Sequence, residues 1–298
     1  MNQHQVPTSD GRALEVASLG DPQGATIVFH HGTPGCVDTM ALLAPLADHG
    51  EFFLVSVSRP GYAGSTRRPG RRVADVVEDT TTALDALGRG TYLSVGWSGG
   101  GPHALACGAL DAPRCRGVWA LASVAPADVD FDWTEGMGPE NVAEFELARA
   151  GGEAYEAAIR ATAASFLAAD AENIIELFGG LLSDVDQRSL ASWDRRNAFA
   201  HSCRAAFARG HEGYLDDDHA FMGPWGFSAD AVAVPTEVWY AKDDLMVPAS
   251  HGAWLCANLP ASRERYFRDD GHVSLVLDHL EELGQSWRSF LDATSAPA

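Results

Sequence analysis

"TYLSVGWSGGGPHALACGAL" (residues 91–110) passes from an apolar, β-branched run through a Gly-x-Ser-x-Gly spacing into an alanine-rich run of helical character. The first part reads as a buried strand and the last as a helix. Ser98, between Gly96 and Gly100, fits a nucleophile elbow. Such a turn holds the serine backbone in strained angles, so its neighbours must lack a Cβ. The hydroxyl then stands above the sheet at the start of a helix, where backbone N–H groups face any developing negative charge. The spacing alone arises by chance in glycine-rich chains, and its place between strand and helix gives it weight. A phosphate-binding loop is the competing reading and fails on detail. There is no Gly-Lys-Ser/Thr, and serine stands where G-x-G-x-x-G has its middle glycine.

Outward from this junction, "ATIVFHHG" (25–32), "FFLVSVSRPG" (52–61) and "GVWALASVAP" (117–126) read as buried strands ended by Gly or Pro. Residues 36–50, 73–88 and 101–110 carry helical spacing. The alternation predicts an α/β fold with a mostly parallel central sheet flanked by helices. The opening segment reads as an antiparallel hairpin turning at Asp10-Gly11. From Pro126 to Val234 only helical patterns appear, over a length too great for a simple connection. Strand patterns return in "TEVWYAKDD" (236–244) and "RERYFRDDGH" (263–272), followed by a helix from about Ser274 to Phe290. The expected organisation is a core of residues 1–125 and 235–298 with an inserted all-helical lid over 126–234. Ligands of open α/β sheets bind beyond the carboxyl ends of the strands, where this insertion would emerge.

The 298 residues carry a net charge of −20, which argues against nucleic acid or anionic membranes as partners. No apolar stretch reaches the roughly 18 residues of a membrane span. The start, "MNQHQVPTSDGRALEV", lacks the basic and apolar regions of a signal peptide, so a cytoplasmic location is expected. The cysteines (Cys36, Cys107, Cys115, Cys203, Cys256) form no CxxC pair and read as reduced, structural residues. The expected partner is a small-molecule substrate, with a homodimer allowed.

A serine nucleophile needs a base, and the base an orienting acid. His272 follows the last expected strand, and Asp243 and Asp244 follow the strand before it. The chain order serine, acid, histidine places each in a loop at a strand's carboxyl end. Asp244 and its neighbour Asp243 are both candidates for the acid, with Asp128 and Asp130 outside candidates. The N–H groups of Gly99 and of Thr33, in "HHGTPG" (30–35), are the expected oxyanion donors. His30 or His31 would brace that loop, and His279 would face solvent from the last helix. In "HEGYLDDDHAF" (211–221) the histidines lack compact ligand spacing, and the three aspartates read as a solvated turn. No metal and no cofactor is expected. Trp97, Phe131, Trp133, Trp193, Met222 and Trp225 are candidate pocket residues.

Together these segments resemble the α/β-hydrolase fold superfamily, and within it the serine hydrolases with HGxPG and RPGYxGS segments. The matching pieces are "HHGTPG", "SRPGYAGS" (58–65), "GWSGGGPHALA" (96–106), "DDLMVP" (243–248) and "GHVSL" (271–275). The resemblance implies Ser98, Asp244 and His272 as a catalytic triad, choosing Asp244 over Asp243 by its spacing to Val247. It likewise implies Thr33 and Gly99 as oxyanion donors. The implied activity is cofactor-independent hydrolysis of a small, largely apolar ester, lactone or related acyl compound. Proline iminopeptidases are similar, but with HGGPG and a GGSWGS-like elbow in place of the segments here. An aminopeptidase, holding its substrate amine on acidic residues such as Glu144, Glu146 or Glu153, is therefore the second reading. A small-molecule receptor or non-hydrolytic lyase is a third. Haloalkane dehalogenases and epoxide hydrolases carry an aspartate nucleophile where this chain has Ser98.

Overall fold

A computed structural model describes residues 1–48 and 50–295 of the chain. Eight strands form one sheet: β1 (Asn2–Pro7), β2 (Ala13–Gly20), β3 (Ala25–His30), β4 (Phe52–Val57), β5 (Tyr92–Trp97), β6 (Cys115–Leu121), β7 (Thr236–Ala241) and β8 (Ser262–Phe267). Their order is β1-β2-β4-β3-β5-β6-β7-β8. β1 and β2 pair antiparallel through the Asp10-Gly11 turn, and β2 runs antiparallel to β4. All other pairs are parallel. Every residue of β4 and β5 is buried, as expected of strands covered on both faces. The edge strand β8 instead carries exposed Arg263 and Glu264, which discourage pairing with another sheet.

Between β3 and β4, residues 36–50 were expected to form one helix. The structure has a 3-10 segment, Val37–Leu43, followed by the short α1 (Ala44–Ala47). Pro45 lies at the start of α1, where its missing N–H costs nothing, so the helix begins anew there. α2 (Val76–Ala86) and α3 (Gly101–Leu110) complete the first half. Between β6 and β7 lie only helices: α4 (Pro139–Ala150), α5 (Gly152–Leu167), α6 (Ile174–Phe178), α7 (Asp184–Ser189), α8 (Trp193–Ala206) and α9 (Glu212–Met222), with short 3-10 turns. α10 (Ala249–Asn258) follows β7, and α11 (Ser274–Leu277) and α12 (Leu280–Ser295) close the chain.

Phe145, Ile159 and Phe207 from the helical segment belong to the same contiguous apolar cluster as Ile27, Val95 and Ala120 of the sheet. The segment is therefore packed onto the core rather than tethered to it. Strand order reverses at β3, which lies between β4 and β5. The crevice beyond the carboxyl ends of β3 and β5 is the place where such sheets bind ligands. Among the described residues no helix is long and apolar enough to cross a membrane.

Candidate active site

Ser98 is the first residue after β5 and has φ of +57°, in the left-handed region that residues bearing a Cβ avoid. Gly96 and Gly100 make that turn physically allowed. A Cβ on Gly96 would lie 2.2 Å from the Gly100 carbonyl oxygen, and one on Gly100 would lie 2.0 Å from that of His30. Ser98 begins a 3-10 turn, Ser98–Gly100, that leads directly into α3. N–H groups at such a helix start lack intrahelical partners.

The loops after β7 and β8 supply an acid and an imidazole. Asp244 is buried, and its Oδ1 accepts from the Met246 and Val247 N–H groups at 2.9 and 2.8 Å. His272 Nδ1 lies 2.8 Å from Asp244 Oδ2 and 3.1 Å from Oδ1. With Nδ1–H donating to the carboxylate, Nε2 of the neutral ring carries the free lone pair. Trp97, proposed for the pocket, lines a small cavity with Ser98 and His272, where its ring packs at 6.0 Å against His272 and its Nε1 donates to the His272 carbonyl oxygen. The cavity that Ser98 and His272 share is about 40 Å³. No hydrogen bond joins them among the described residues, a contact that commonly tightens only when substrate binds. Asp243, Asp128 and Asp130 are exposed, and among the described residues the carboxylate that hydrogen-bonds the imidazole is that of Asp244.

Burial disfavours the charged form of His272, but the Asp244 carboxylate and its hydrogen bond outweigh burial and hold the imidazole above the usual histidine value. A general base must be neutral to act. If His272 is that base, activity should fall as pH drops through a value above ~6.5. In Asp244→Asn the opposing charge is gone while burial remains, so the acid limb of the pH–kcat/KM profile should move below that of the wild type. An unmoved limb would assign it to another group.

The His272 loop is clasped from the helical segment by Asp186 of α7, a residue with no warning in the sequence. Its Oδ1 accepts from the Val273 and Ser274 N–H groups at 2.7 and 2.9 Å, and its Oδ2 from the His272 N–H at 3.1 Å and the Ser183 hydroxyl at 2.8 Å. An asparagine offers a single oxygen and turns an NH2 group toward these donors. Asp186→Asn should lower stability by ~1.5–3 kcal/mol, the range of hydrogen bonds to a charged group. In the folded fraction kcat should drop ~10-fold or more, since a small misplacement of the base is costly. Melting curves and kcat at saturating ester check both, and an unchanged kcat would leave Asp186 with a structural role alone.

Residues 30–35 follow β3 beside the elbow, so close that a Cβ on Gly99 would lie 2.4 Å from Thr33 Oγ1. His31 braces this loop, with Nδ1 2.8 Å from the Gly32 carbonyl oxygen and Nε2 accepting from the Arg59 N–H at 3.0 Å. His30 Nε2 meets the Ser94 hydroxyl at 3.1 Å. Burial drives both rings toward the neutral form, His30 down to about 3. The buried Arg59 guanidinium donates to the carbonyl oxygens of His31 and Gly32 and to Thr33 Oγ1. It is neutralised by Asp217, 2.6 Å from its Nη2. Asp217 Oδ1 also pairs with Arg71 Nη2 at 2.6 Å, while Oδ2 accepts from the Tyr62 and Thr33 hydroxyls at 2.9 and 2.7 Å.

The three aspartates of α9 are thus no solvated turn: Asp216, Asp217 and Asp218 are 4%, 0% and 0% exposed. Arg67 pairs with Asp216 at 2.8 Å from an exposed position and the buried Arg59 and Arg71 pair with Asp217, so arginines offset the burial of the first two. Tyr214, Leu215 and Phe221, spaced as on a helix, were the available signal that this stretch packs inward. Among the described residues no cluster of His, Cys, Asp or Glu is arranged to hold a metal. His279, expected in solvent, is half-buried between α11 and α12, 3.0 Å from Asp270 Oδ2 and 3.3 Å from Glu282 Oε2.

A larger cavity of about 270 Å³ opens beside Ser98, Thr33 and Gly99, and its far walls come from α4, α5, α6 and α9. Phe166, Leu177, Phe178 and Phe221 make it largely apolar. The remaining aromatic candidates lie outside both cavities. Trp133 is buried against Phe145 and His251 and donates to the Ala125 carbonyl oxygen, and Phe131 also packs edge-on against His251. Trp225 is buried against Phe227, Met222 three residues before it is half-buried, and Trp193 is 55% exposed. Aromatic type alone does not tell a packing residue from a lining one.

A family model described as the alpha/beta hydrolase fold matches residues 25–278. The structure is similar to an alpha/beta hydrolase fold protein from Nakamurella multipartita, with TM-score 0.71 and 21% identity over 99% of this chain and 100% of that one. It is also similar to a thermophilic esterase from Thermogutta terrifontis, with TM-score 0.71 and 19% identity over 99% and 100%. A third similar structure, Est816, is described as an N-acyl homoserine lactone degrading enzyme and gives TM-score 0.63 and 22% identity over 96% and 100%. No curated protein matches the chain significantly.

Proposed function

Because the chain belongs to the alpha/beta hydrolase fold family, we propose that it is a serine hydrolase of small acyl compounds, esters or lactones, working through an acyl-serine intermediate. Likeness at these identities carries the fold, and the chemistry rests on geometry. The observation that carries it is the Asp244–His272 pair at 2.8 Å, sharing a cavity with a serine held at φ +57°.

In this reading His272 Nε2 takes the Ser98 proton as Oγ attacks the acyl carbon, and Asp244 orients and stabilises the resulting imidazolium. The N–H groups of Gly99 and Thr33 hold the oxyanion, each such donor being worth about 10²–10³ in rate. The imidazolium returns its proton to the leaving oxygen. Water, deprotonated by the same nitrogen, then releases the acid and restores Ser98. Residues 126–234 act as the lid over a core of 1–125 and 235–298, since helices of that segment wall the larger cavity and exclude bulk water. The free cysteines suit a reducing, cytoplasmic setting.

Short p-nitrophenyl esters, proline p-nitroanilide and a fluorophosphonate probe test this reading. Ester turnover with labelling confined to Ser98 is the expected result. Turnover of the anilide alone would favour an aminopeptidase, and neither turnover nor labelling would overturn the proposal.

A further inference from the structure

Of the three consecutive aspartates in α9, two face arginines and the third does not. Asp218 is fully buried and lines the larger cavity with Ser98. Its Oδ2 accepts from the Tyr155 hydroxyl at 2.7 Å, while its Oδ1 has no hydrogen-bond partner. Glu144 of α4 lines the same cavity and accepts from the Tyr214 hydroxyl at 2.7 Å. Among the described residues no arginine, lysine or histidine forms an ion pair with either carboxylate. A buried acceptor left unpaired costs about 1–3 kcal/mol. The same helix shows the alternative, since Asp216 and Asp217 are fully neutralised by protein cations.

We infer that this pair receives a protonated amine of the substrate, seated between Asp218 and Glu144 while the acyl carbon reaches Ser98. The inference rests on the hydrolase reading for the fate of the substrate and on the cavity for the site itself. An ammonium supplies what the site lacks, a positive charge and N–H donors for the free Oδ1. Ile159 and Phe166 offer an apolar wall for the chain between amine and acyl group. Burial pushes both carboxyls above the ordinary range, Glu144 to about 7 against the lowering hydrogen bond from Tyr214, and the Glu144 charge raises Asp218 further. The empty pair therefore keeps a proton that an arriving cation displaces.

The test compares p-nitrophenyl esters of ω-(dimethylamino)alkanoic acids with those of alkanoic acids ending in an isopropyl group, matched in size and differing in charge. The best amino ester should exceed its isostere in kcat/KM by about tenfold or more, mainly through KM, equivalent to ~1.4 kcal/mol. In Asp218→Asn and in Glu144→Gln that ratio should fall toward one. Ratios near one in the wild type, or a preference that survives both substitutions, would overturn the inference and leave the hydrolase reading standing. Calorimetry of butylammonium against butanol on Ser98→Ala separates the two claims. Binding of the cation alone, lost in the Ser98→Ala/Asp218→Asn double variant, supports the site even if no ester is cleaved. Equal binding of both compounds, or of neither, overturns it.

Discussion

On the proposed mechanism, Ser98→Ala should lower kcat for p-nitrophenyl ester hydrolysis by ~10⁴-fold or more, the scale on which nucleophile removal acts in serine hydrolases, with little change in KM. The loss comes from chemistry, because alanine keeps the Cβ that the elbow already accommodates and removes a single oxygen. Stability separates this role from a structural one. At φ +57° a residue with a Cβ pays about 1–2 kcal/mol, whereas glycine pays only its greater chain entropy of about 0.5–1 kcal/mol. Ser98→Gly should therefore be as inactive as Ser98→Ala and roughly 0.5–1 kcal/mol more stable than it. Thermal melts and single-turnover assays of both variants measure the two effects. Full acyl cleavage by the alanine variant would end the mechanism, and a less stable glycine variant would show that the turn is not strained.

Asp217→Asn should destabilise the fold by ~3–5 kcal/mol, because it leaves the Arg59 and Arg71 guanidiniums buried with no anion between them. Burial alone would raise the Asp217 carboxyl, but these two cations outweigh it and hold the group well below the usual carboxylate range. It is therefore charged at any pH at which the protein functions. At roughly 2–4 °C per kcal/mol the melting temperature should fall by ~6–20 °C. Pairing the change with Arg71→Met should recover more than ~1 kcal/mol, since the second substitution removes one stranded charge. Because Arg59 also grips the His31 and Gly32 carbonyl oxygens, the folded fraction should lose order in the loop proposed to hold the oxyanion, and kcat with it. A destabilisation under ~1 kcal/mol, or strict additivity of the pair, would show that the network is not the anchor described.

Much of this molecule is legible locally. Unbroken apolar runs such as "FFLV" mark strands covered on both faces, and β4 is buried throughout. The Asp10-Gly11 turn sets the β1–β2 pairing. Gly96 and Gly100 are needed because the backbone that a Cβ would strike lies a few residues away or on the adjacent strand. Hydrophobic periodicity and glycine placement are properties of a few consecutive residues, so they can be read in order along the chain. Helix breaks are harder, as Val37–Leu43 and α1 show, because helical spacing runs through both segments and a proline can either start a helix or merely sit within its first turn.

The sequence by itself determined the alternation of strands and helices, the strained serine turn, and the order in which serine, acid and histidine arrive at the strand ends. Only the tertiary structure decided which charges meet. Arg59 reaches Asp217 across 158 positions, and Asp186 reaches the Val273 N–H across 87. A run of aspartates looks solvated until the cations that face it are known, and the partners of Asp216 and Asp217 lie on loops of the other half of the fold. Trp97 lines the small cavity beside Ser98, but Phe131, Trp133, Trp193, Met222 and Trp225 line neither cavity, for the same reason. Burial against a neighbour and exposure to a cavity follow from three-dimensional contact, and no residue type encodes the difference.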